Sequence, residues 1–232
     1  MTDITLLDSE SDWVRAACNR IRDGLAGGGP THLAVCGGST PKPVFQALAR
    51  EGLGGDRAVI TLTDERFVPP SDARSNEAMV RATLIDGALA GSDLIGLWSE
   101  GTLEDAAARA DARLSALGGR LDVALIGMGE DGHILSMFPG HPDLPALIDA
   151  EAPPGCAGVE VATPMPDVAR LSLNMGWMMR AGRVVLITRG RTKRRVLEAE
   201  LAGKPASRPL AALRAGLKRT GAPLICLHLD EE

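Results

Sequence analysis

The chain has 232 residues, 45% of them hydrophobic and 24% charged, which is typical of a globular protein with a buried core. Its net charge of -5 and its aromatic content of 3% argue against nucleic acid or an anionic membrane as a partner, because both a basic surface and an aromatic stacking platform are lacking. The four cysteines are widely spaced and form no CxxC pair, which argues against a zinc ribbon or redox motif and indicates a reducing compartment.

The amino terminus does not have the pattern of a secretory signal, because residues 1–13 are acidic and carry no basic start before an apolar stretch. No apolar run approaches the roughly 18 residues that a membrane span requires. We therefore expect a cytoplasmic protein, a monomer or small homo-oligomer, whose partner is a small molecule rather than nucleic acid or a membrane.

Short apolar runs alternate with longer segments of helical periodicity along the chain. The candidate strands are 32–36, 58–63, 94–97, 121–127, 169–173, 184–188 and 224–229. The candidate helices are 12–25, 43–50, 76–89, 103–117, 192–201 and 210–217, and 138–166 is expected to be loop and short turns. Continuously apolar strands are typical of a parallel sheet that is buried on both faces. We expect one domain over residues 1–232, with a three-layer, Rossmann-like α/β fold whose mostly parallel sheet has helices on both faces.

Ligands of such sheets bind beyond the carboxyl ends of the strands, and the turn at 36–41 is the first candidate site. Gly37 and Gly38 allow a sharp turn close to a ligand, Thr40 suits a helix N-cap and Pro41 suits the first helical position. A helix start favours an anion, typically phosphate, although this spacing is not that of a Walker A loop. By itself the segment is equally compatible with a plain strand-to-helix turn.

The second candidate segment is Asp64-Glu65-Arg66, which directly follows the apolar run 58–63. Charged residues at a strand end indicate either a solvated turn or a site. Taken alone, this segment favours the solvated turn.

The third segment contains Gly127, Gly129 and Gly132, which spell GxGxxG. A dinucleotide-binding turn should open a long helix, but a helix here is interrupted by the proline- and glycine-rich residues 139–142, so we reject that interpretation. The glycines instead present Asp131 and His133 at a strand end. A lone histidine is more often a packing or surface residue, but this pairing favours general acid–base chemistry.

The fourth segment, 189–195, has five basic residues in seven. This pattern could indicate nucleic acid or a solvated helix face. Cations at a helix start oppose the helix dipole at a cost of roughly 0.3–1 kcal/mol each, and a bound anion would remove that conflict. We predict that Lys193 contacts a phosphate and that Arg194 and Arg195 lie at the surface.

Taken together and in this order, these segments resemble the lactonase branch of the glucosamine-6-phosphate isomerase/6-phosphogluconolactonase family. The matching pieces are Gly37-Gly38-Ser39-Thr40-Pro41, Thr63-Asp64-Glu65-Arg66 with Val68-Pro69 and Ser75-Asn76, Gly129-Glu130-Asp131-Gly132-His133 with Phe138-Pro139-Gly140, Arg170-Leu171-Ser172-Leu173, and Gly190 with Lys193. The resemblance implies a parallel Rossmann-like sheet, hydrolysis of 6-phospho-D-glucono-1,5-lactone to 6-phosphogluconate in the oxidative pentose phosphate pathway, and no cofactor.

The chain departs from the family pattern after His133. Lactonases commonly carry Thr-Ala there, whereas this chain has Ile134-Leu135. The isomerase/deaminase branch places a Glu, which supports its ring-opening histidine, where this chain has Phe138. The resemblance therefore favours the lactonase over the aminosugar-6-phosphate isomerase/deaminase.

With this resemblance, we expect His133 to act as the general base, with Asp131 or Asp64 orienting the imidazole or binding sugar hydroxyls, and the N–H groups of loop 127–132 as candidate oxyanion donors. The residues expected to bind the substrate phosphate are Gly37, Gly38, Ser39, Thr40 and Lys193, with Arg66 or Arg170. No metal is expected, and a zinc site built from His133, Asp131 and His141 is disfavoured.

Two alternative functions without lactonase activity are also compatible with the resemblance to a sugar-phosphate-binding family. A sugar-phosphate-binding regulatory domain would accompany a DNA-binding helix-turn-helix, for which the roughly ten residues before the fold leave no room. A non-catalytic family member is disfavoured by the retention of His133, Asp131, Asp64 and Lys193.

Overall fold

The computed structural model describes residues 4–26, 31–54, 58–163 and 165–231. The strands are β1 (Ile4–Leu7), β2 (Thr31–Val35), β3 (Ala58–Leu62), β4 (Asp64–Arg66), β5 (Asp93–Ile95), β6 (Leu121–Ile126), β7 (Cys156–Val159), β8 (Arg170–Leu173), β9 (Ala181–Arg189) and β10 (Leu224–Leu229). The helices are α1 (Glu10–Leu25), α2 (Lys42–Glu51), α3 (Asn76–Thr83), α4 (Leu103–Leu114), α5 (Leu144–Leu147), α6 (Met175–Met179), α7 (Arg191–Ala202) and α8 (Pro209–Thr220).

A seven-stranded parallel sheet with the order β1-β10-β9-β6-β2-β3-β5 forms the centre of the fold. Its inner strands are rich in apolar residues, as expected where helices cover both faces, and Val184 to Ile187 of β9 are fully buried. The predicted three-layer, Rossmann-like arrangement of a mostly parallel sheet between helices is confirmed. No helix in the described part of the chain is long and apolar enough to cross a membrane.

A second, three-stranded antiparallel sheet lies beside the first, with the order β4-β8-β7. The apolar run 169–173 was expected to join the parallel sheet, but its residues 170–173 form β8, which pairs with β4 and β7 instead. The segment 138–166 was expected to be irregular, yet it contains α5 and β7. Strand β4 is short and charged, and β7 and α5 have only four residues each, so none of them shows a clear local pattern without its packing partner.

Helix starts and ends follow the local sequence closely, with three exceptions. The side chains of Ser9, Ser75 and Thr102 cap α1, α3 and α4 by accepting backbone hydrogen bonds of 3.1 Å. The predicted helix 76–89 is α-helical only in α3, and a separate 3₁₀ turn follows at Gly87–Leu89. The predicted helix 103–117 is α-helical in α4 and continues as a 3₁₀ turn at Ser115–Leu117. The expectation that Thr40 caps α2 is wrong: the cap position is Pro41, with no side-chain hydrogen bond, and Thr40 is buried before it.

Candidate functional site

The carboxyl ends of β2, β3, β6 and β9 open onto a cleft of about 280 Å³. Nine of the ten predicted site residues line this cleft: Gly37, Gly38, Ser39, Thr40, Asp64, Arg66, His133, Arg170 and Lys193. The tenth, Asp131, does not line the cleft but contacts His133 from behind. The fold therefore brings together five segments that lie far apart in the chain, at 37–40, 64–66, 133, 170 and 193. Most of them follow strands of the parallel sheet, where ligands of such sheets bind.

One wall of the cleft is the turn between β2 and α2. Gly38 has a φ of +89°, a conformation that favours glycine. A Cβ on Gly37 would lie 1.9 Å from Oδ1 of Asn76, so only glycine allows the turn to approach the start of α3. Residues 37–40 of this turn line the cleft directly before α2. A helix start of this kind favours phosphate binding.

Lys193 lies in the first turn of α7, which begins after Gly190 at a φ of +85°. Arg194 next to it donates a 2.7 Å hydrogen bond to Asp230, and Arg195 is exposed. Arg189 is paired with Glu231. Lys193 is thus the residue of this basic segment that lines the cleft, while its neighbours are paired or turned to solvent.

His133 and Asp131 form a hydrogen-bonded imidazole–carboxylate pair at the cleft. Nδ1 of His133 lies 2.5 Å from Oδ1 of Asp131, and the His133 N–H donates to the same oxygen at 3.2 Å. Burial raises the pKa of Asp131, but the hydrogen bond and charge of His133 outweigh it, so that the pKa lies below its usual value. An ionised Asp131 accepts a hydrogen bond from Nδ1, which leaves Nε2 of the imidazole as the nitrogen that can take a proton.

The glycines of the loop are required by this pair. A Cβ on Gly129 would lie 2.3 Å from the imidazole of His133 and 2.4 Å from the Asp131 carboxylate. The Gly129 N–H donates to the His133 carbonyl at 2.9 Å, and the Gly132 N–H donates to the Gly129 carbonyl at 3.2 Å. These two N–H groups hold the loop together, so the expectation that the whole loop offers oxyanion donors must exclude them.

The imidazole of His133 packs against an aromatic ring. The centroids of His133 and Phe138 are 4.5 Å apart, and the guanidinium carbon of Arg170 lies 6.0 Å from the centroid of Phe138. Arg170 is buried, and burial lowers its pKa. Its Nε is buried and has no hydrogen-bond partner in the described part of the chain.

Asp64 is held by other side chains rather than by the histidine. Its two carboxylate oxygens accept hydrogen bonds from Thr63 at 3.2 Å and from Ser136 at 2.8 Å. Of the two aspartates, Asp131 is the one that is hydrogen-bonded to the imidazole, and Asp64 lines the cleft wall.

Glu65 was predicted to lie in a solvated turn or a site, but it is fully buried outside the cleft. Its carboxylate accepts the N–H groups of Asn76 and Glu77, both at 2.7 Å, and the hydroxyl of Ser75 at 3.0 Å. Burial raises its pKa, and these hydrogen bonds oppose that shift. Glu65 thus anchors the start of α3 and so places Asn76, whose amide donates to the Asp64 carbonyl at 2.9 Å.

Sequence reasoning missed several cleft residues: Cys36, Asn76, Met128, Leu135 and Met165. Asn76 belongs to a motif that was recognised, and only its contact with the glycine turn shows that it reaches the cleft. Leu135 has a φ of +52°, which costs roughly 1–2 kcal/mol for a residue with a side chain. Leu135 occupies the position where the family pattern commonly has Ala. This departure from the pattern was a sequence signal that could have drawn attention to Leu135 as a cleft residue.

His141 is not placed for the zinc site that was considered and disfavoured. Its Nδ1 accepts the Asp143 N–H at 3.1 Å, and its Nε2 lies 3.1 Å from the Glu160 carbonyl. Both ring nitrogens are therefore engaged with the backbone. Within residues 4–26, 31–54, 58–163 and 165–231, no group of three His, Cys, Asp or Glu side chains could hold a metal ion.

A glycine turn at a helix start and a lysine share one cleft with an imidazole–carboxylate pair at the strand ends of a parallel sheet, an arrangement typical of an α/β enzyme for a small substrate. Comparison with known proteins identifies the family. The model of the glucosamine-6-phosphate isomerases/6-phosphogluconolactonase family matches residues 8–221. The chain belongs to this family, as its ordered motifs predicted.

Relatives in this family are similar over most of their length. The chain is 39% identical to the 6-phosphogluconolactonase of Rhizobium meliloti over 207 residues, covering 88% of this chain and 87% of the relative. It is 37% identical to that of Caulobacter vibrioides over 174 residues, covering 75% of each. The crystal structure of a 6-phosphogluconolactonase from Shewanella baltica superposes with a TM-score of 0.88 at 27% identity, covering 100% of this chain and 98% of the other.

Proposed function

We propose that this enzyme hydrolyses 6-phospho-D-glucono-1,5-lactone to 6-phospho-D-gluconate, the second step of the oxidative pentose phosphate pathway. The observation that carries the proposal is that one cleft holds the glycine turn 37–40, Lys193 and His133. It thus combines an anion site with a general base. The relatives named 6-phosphogluconolactonase, at 37–39% identity, support the same substrate.

The substrate phosphate is bound between the 37–40 turn and Lys193. Backbone N–H groups at the start of α2 and the lysine ammonium both favour a dianion. Arg66 and Arg170 both line the cleft, and each guanidinium carries several N–H donors for a further contact with the phosphate. Arg66 already donates to the Arg74 carbonyl.

His133 acts on the lactone carbonyl at the other end of the cleft. Its Nε2 takes a proton from water as the water oxygen attacks C1, and the same proton then passes to the ring oxygen as the C1–O bond breaks. Asp131 keeps the imidazole in the required tautomer through Nδ1, and Asp64 binds sugar hydroxyls. General acid–base assistance of this kind contributes about 10²–10⁴-fold to a rate.

The experiment is an assay of lactone hydrolysis above the spontaneous background, with and without a strong chelator. We expect turnover that the chelator does not change. The His133→Ala variant should fold normally and lose about 10²-fold or more of kcat. Turnover of that variant close to wild type would remove His133 from the mechanism, and loss of activity with the chelator would indicate a metal.

The second candidate is an aminosugar-6-phosphate isomerase/deaminase, because the family includes both activities. Phe138 argues against it: the ring packs on His133 where the deaminase branch has a carboxylate. Release of ammonia from glucosamine 6-phosphate would favour this alternative.

The setting of the reaction also remains a prediction. We expect one domain over residues 1–232, in the cytoplasm, acting as a monomer or small homo-oligomer without nucleic acid. The pairing of Arg189 and Arg194 with carboxylates supports the last point, because paired arginines are less available for phosphate backbones.

A further inference from the structure

Glu200 is a buried carboxylate that the proposed reaction does not use. It lies on α7 seven residues after Lys193, so that both side chains are on the same face of the helix. The side chain is fully buried, and its Oε1 accepts a hydrogen bond of 2.6 Å from Nη1 of Arg208. Its Oε2 has no hydrogen-bond partner in the part of the chain that the structure describes. Burying a carboxylate oxygen without a hydrogen-bond partner costs free energy, which indicates a specific role for Glu200 at this position.

The carboxylate of Glu200 lies directly behind the 131–133 turn, which carries Asp131 and His133. Gly132, between Asp131 and His133, has a φ of +88°, and a Cβ on it would lie 2.6 Å from Oε1 of Glu200. Only glycine satisfies both the backbone conformation and the available space. The turn that carries the imidazole is therefore built against this carboxylate.

Glu200 also interacts electrostatically with Asp131 of the 131–133 turn. Burial raises the pKa of Glu200, the hydrogen bond and charge of Arg208 oppose that shift, and the negative charge of Asp131 raises the pKa further. The two carboxylates are thus within electrostatic reach of each other, with Gly132 between them. The charged groups near the turn include Glu130 and Asp131 on the loop itself, Lys193 and Glu200 on α7, and Arg208 before α8. The cleft that His133 lines also contains Asp64, Arg66 and Arg170.

We propose that Glu200 is a positioning residue that holds the 131–133 turn from behind and adds a negative charge favouring the protonated imidazole of His133. Through Glu200 and Lys193, α7 sets the distance between the imidazole and the anion site. The role in catalysis rests on the proposed lactone hydrolysis, in which one imidazole acts first as base and then as acid, so its proton affinity affects both steps.

The test combines titration of the His133 imidazole by NMR with steady-state kinetics in wild type and Glu200→Gln. The His133 resonance is assigned by its loss in His133→Ala. We expect Glu200→Gln to move the titration midpoint down by roughly half a pH unit, because a nearby negative charge is lost. We expect kcat to fall roughly three- to tenfold, with KM changed less than about twofold.

Three further variants separate positioning from a general effect on the fold. Glu198→Gln removes an exposed carboxylate of α7 that pairs with Arg194 at 3.3 Å, and should leave both readouts unchanged. Glu200→Asp keeps the charge and should restore the midpoint. Glu200→Met removes charge and hydrogen bonding at similar volume, and should shift the midpoint as Glu200→Gln does.

The proposal is overturned if the folded Gln and Met variants titrate and turn over like wild type, or if neither variant folds, because Glu200 would then be structural only. The imidazole titration needs no substrate. Failure of wild type to hydrolyse the lactone would therefore refute the proposed function while a shifted midpoint still supported the placement of Glu200.

Discussion

Asp131→Asn tests the acid–base pair most directly. The substitution keeps the size of the side chain and removes the charge that lies 2.5 Å from Nδ1 of His133. Hydrogen bonds to charged groups contribute about 1.5–3 kcal/mol. The side chains of His133 and Asp131 are 27% and 38% exposed, so solvent screens the interaction and the lower part of that range applies.

A loss of about 1.5–2 kcal/mol corresponds to a decrease in kcat of roughly 10- to 30-fold. KM should change by less than about threefold, because Asp131 does not line the cleft and loses no contact with substrate. The assay is release of acid from freshly generated 6-phosphogluconolactone, corrected for spontaneous hydrolysis.

Asp143→Asn is the matched control, because it alters the other histidine–aspartate contact, 3.6 Å between His141 and Asp143 and away from the cleft. It should leave kcat unchanged. A kcat for Asp131→Asn within about twofold of wild type, together with severe loss in His133→Ala, would refute the claim that the carboxylate orients the imidazole.

Three other substitutions test separate parts of the structure. Lys193→Met should raise KM for the phosphorylated lactone roughly thirtyfold with little effect on kcat, and should leave hydrolysis of unphosphorylated gluconolactone unchanged; equal loss with both substrates would contradict a phosphate contact. Gly129→Ala should lower kcat about 10²-fold in a folded protein, because its Cβ would lie 2.3 Å from the imidazole, and wild-type turnover would show that the loop adapts freely. Burial lowers the pKa of His228 in the fold, so the unfolded state takes up the proton first and stability should fall as the pH drops below about 6.5. Melting temperatures from pH 8 to 5 should therefore decline less steeply in His228→Gln, and parallel curves would contradict this assignment.

The parallel sheet could be predicted because most of its strands contain continuous apolar runs, such as residues 123–126 of β6 and 184–187 of β9. Strand β1 could not, because it is a four-residue edge strand with its middle residues exposed. In the antiparallel sheet, β4 pairs with β8 about a hundred residues further along the chain, which periodicity does not reveal. In these cases the tertiary partner, rather than the local pattern, decides the secondary structure.

The candidate site could be predicted from the sequence because glycines, a histidine and a lysine directly follow predicted strands or begin a helix. Glu65 could not be placed in the same way: its local sequence is a charged turn, and its role depends on where α3 begins. The division of roles between Asp64 and Asp131 also needed coordinates, because both carboxylates are compatible with the sequence and only one lies next to the imidazole.

The anchoring of α3 by Glu65 has a consequence for mutational studies of this enzyme. Glu65 lies outside the cleft, yet it fixes the first residue of α3, and that residue packs against the glycine turn of the anion site. A library restricted to residues in reach of substrate would therefore omit a side chain on which the shape of the binding wall depends. Random mutagenesis should return inactive variants at this position, and their defect should trace to a displaced helix start.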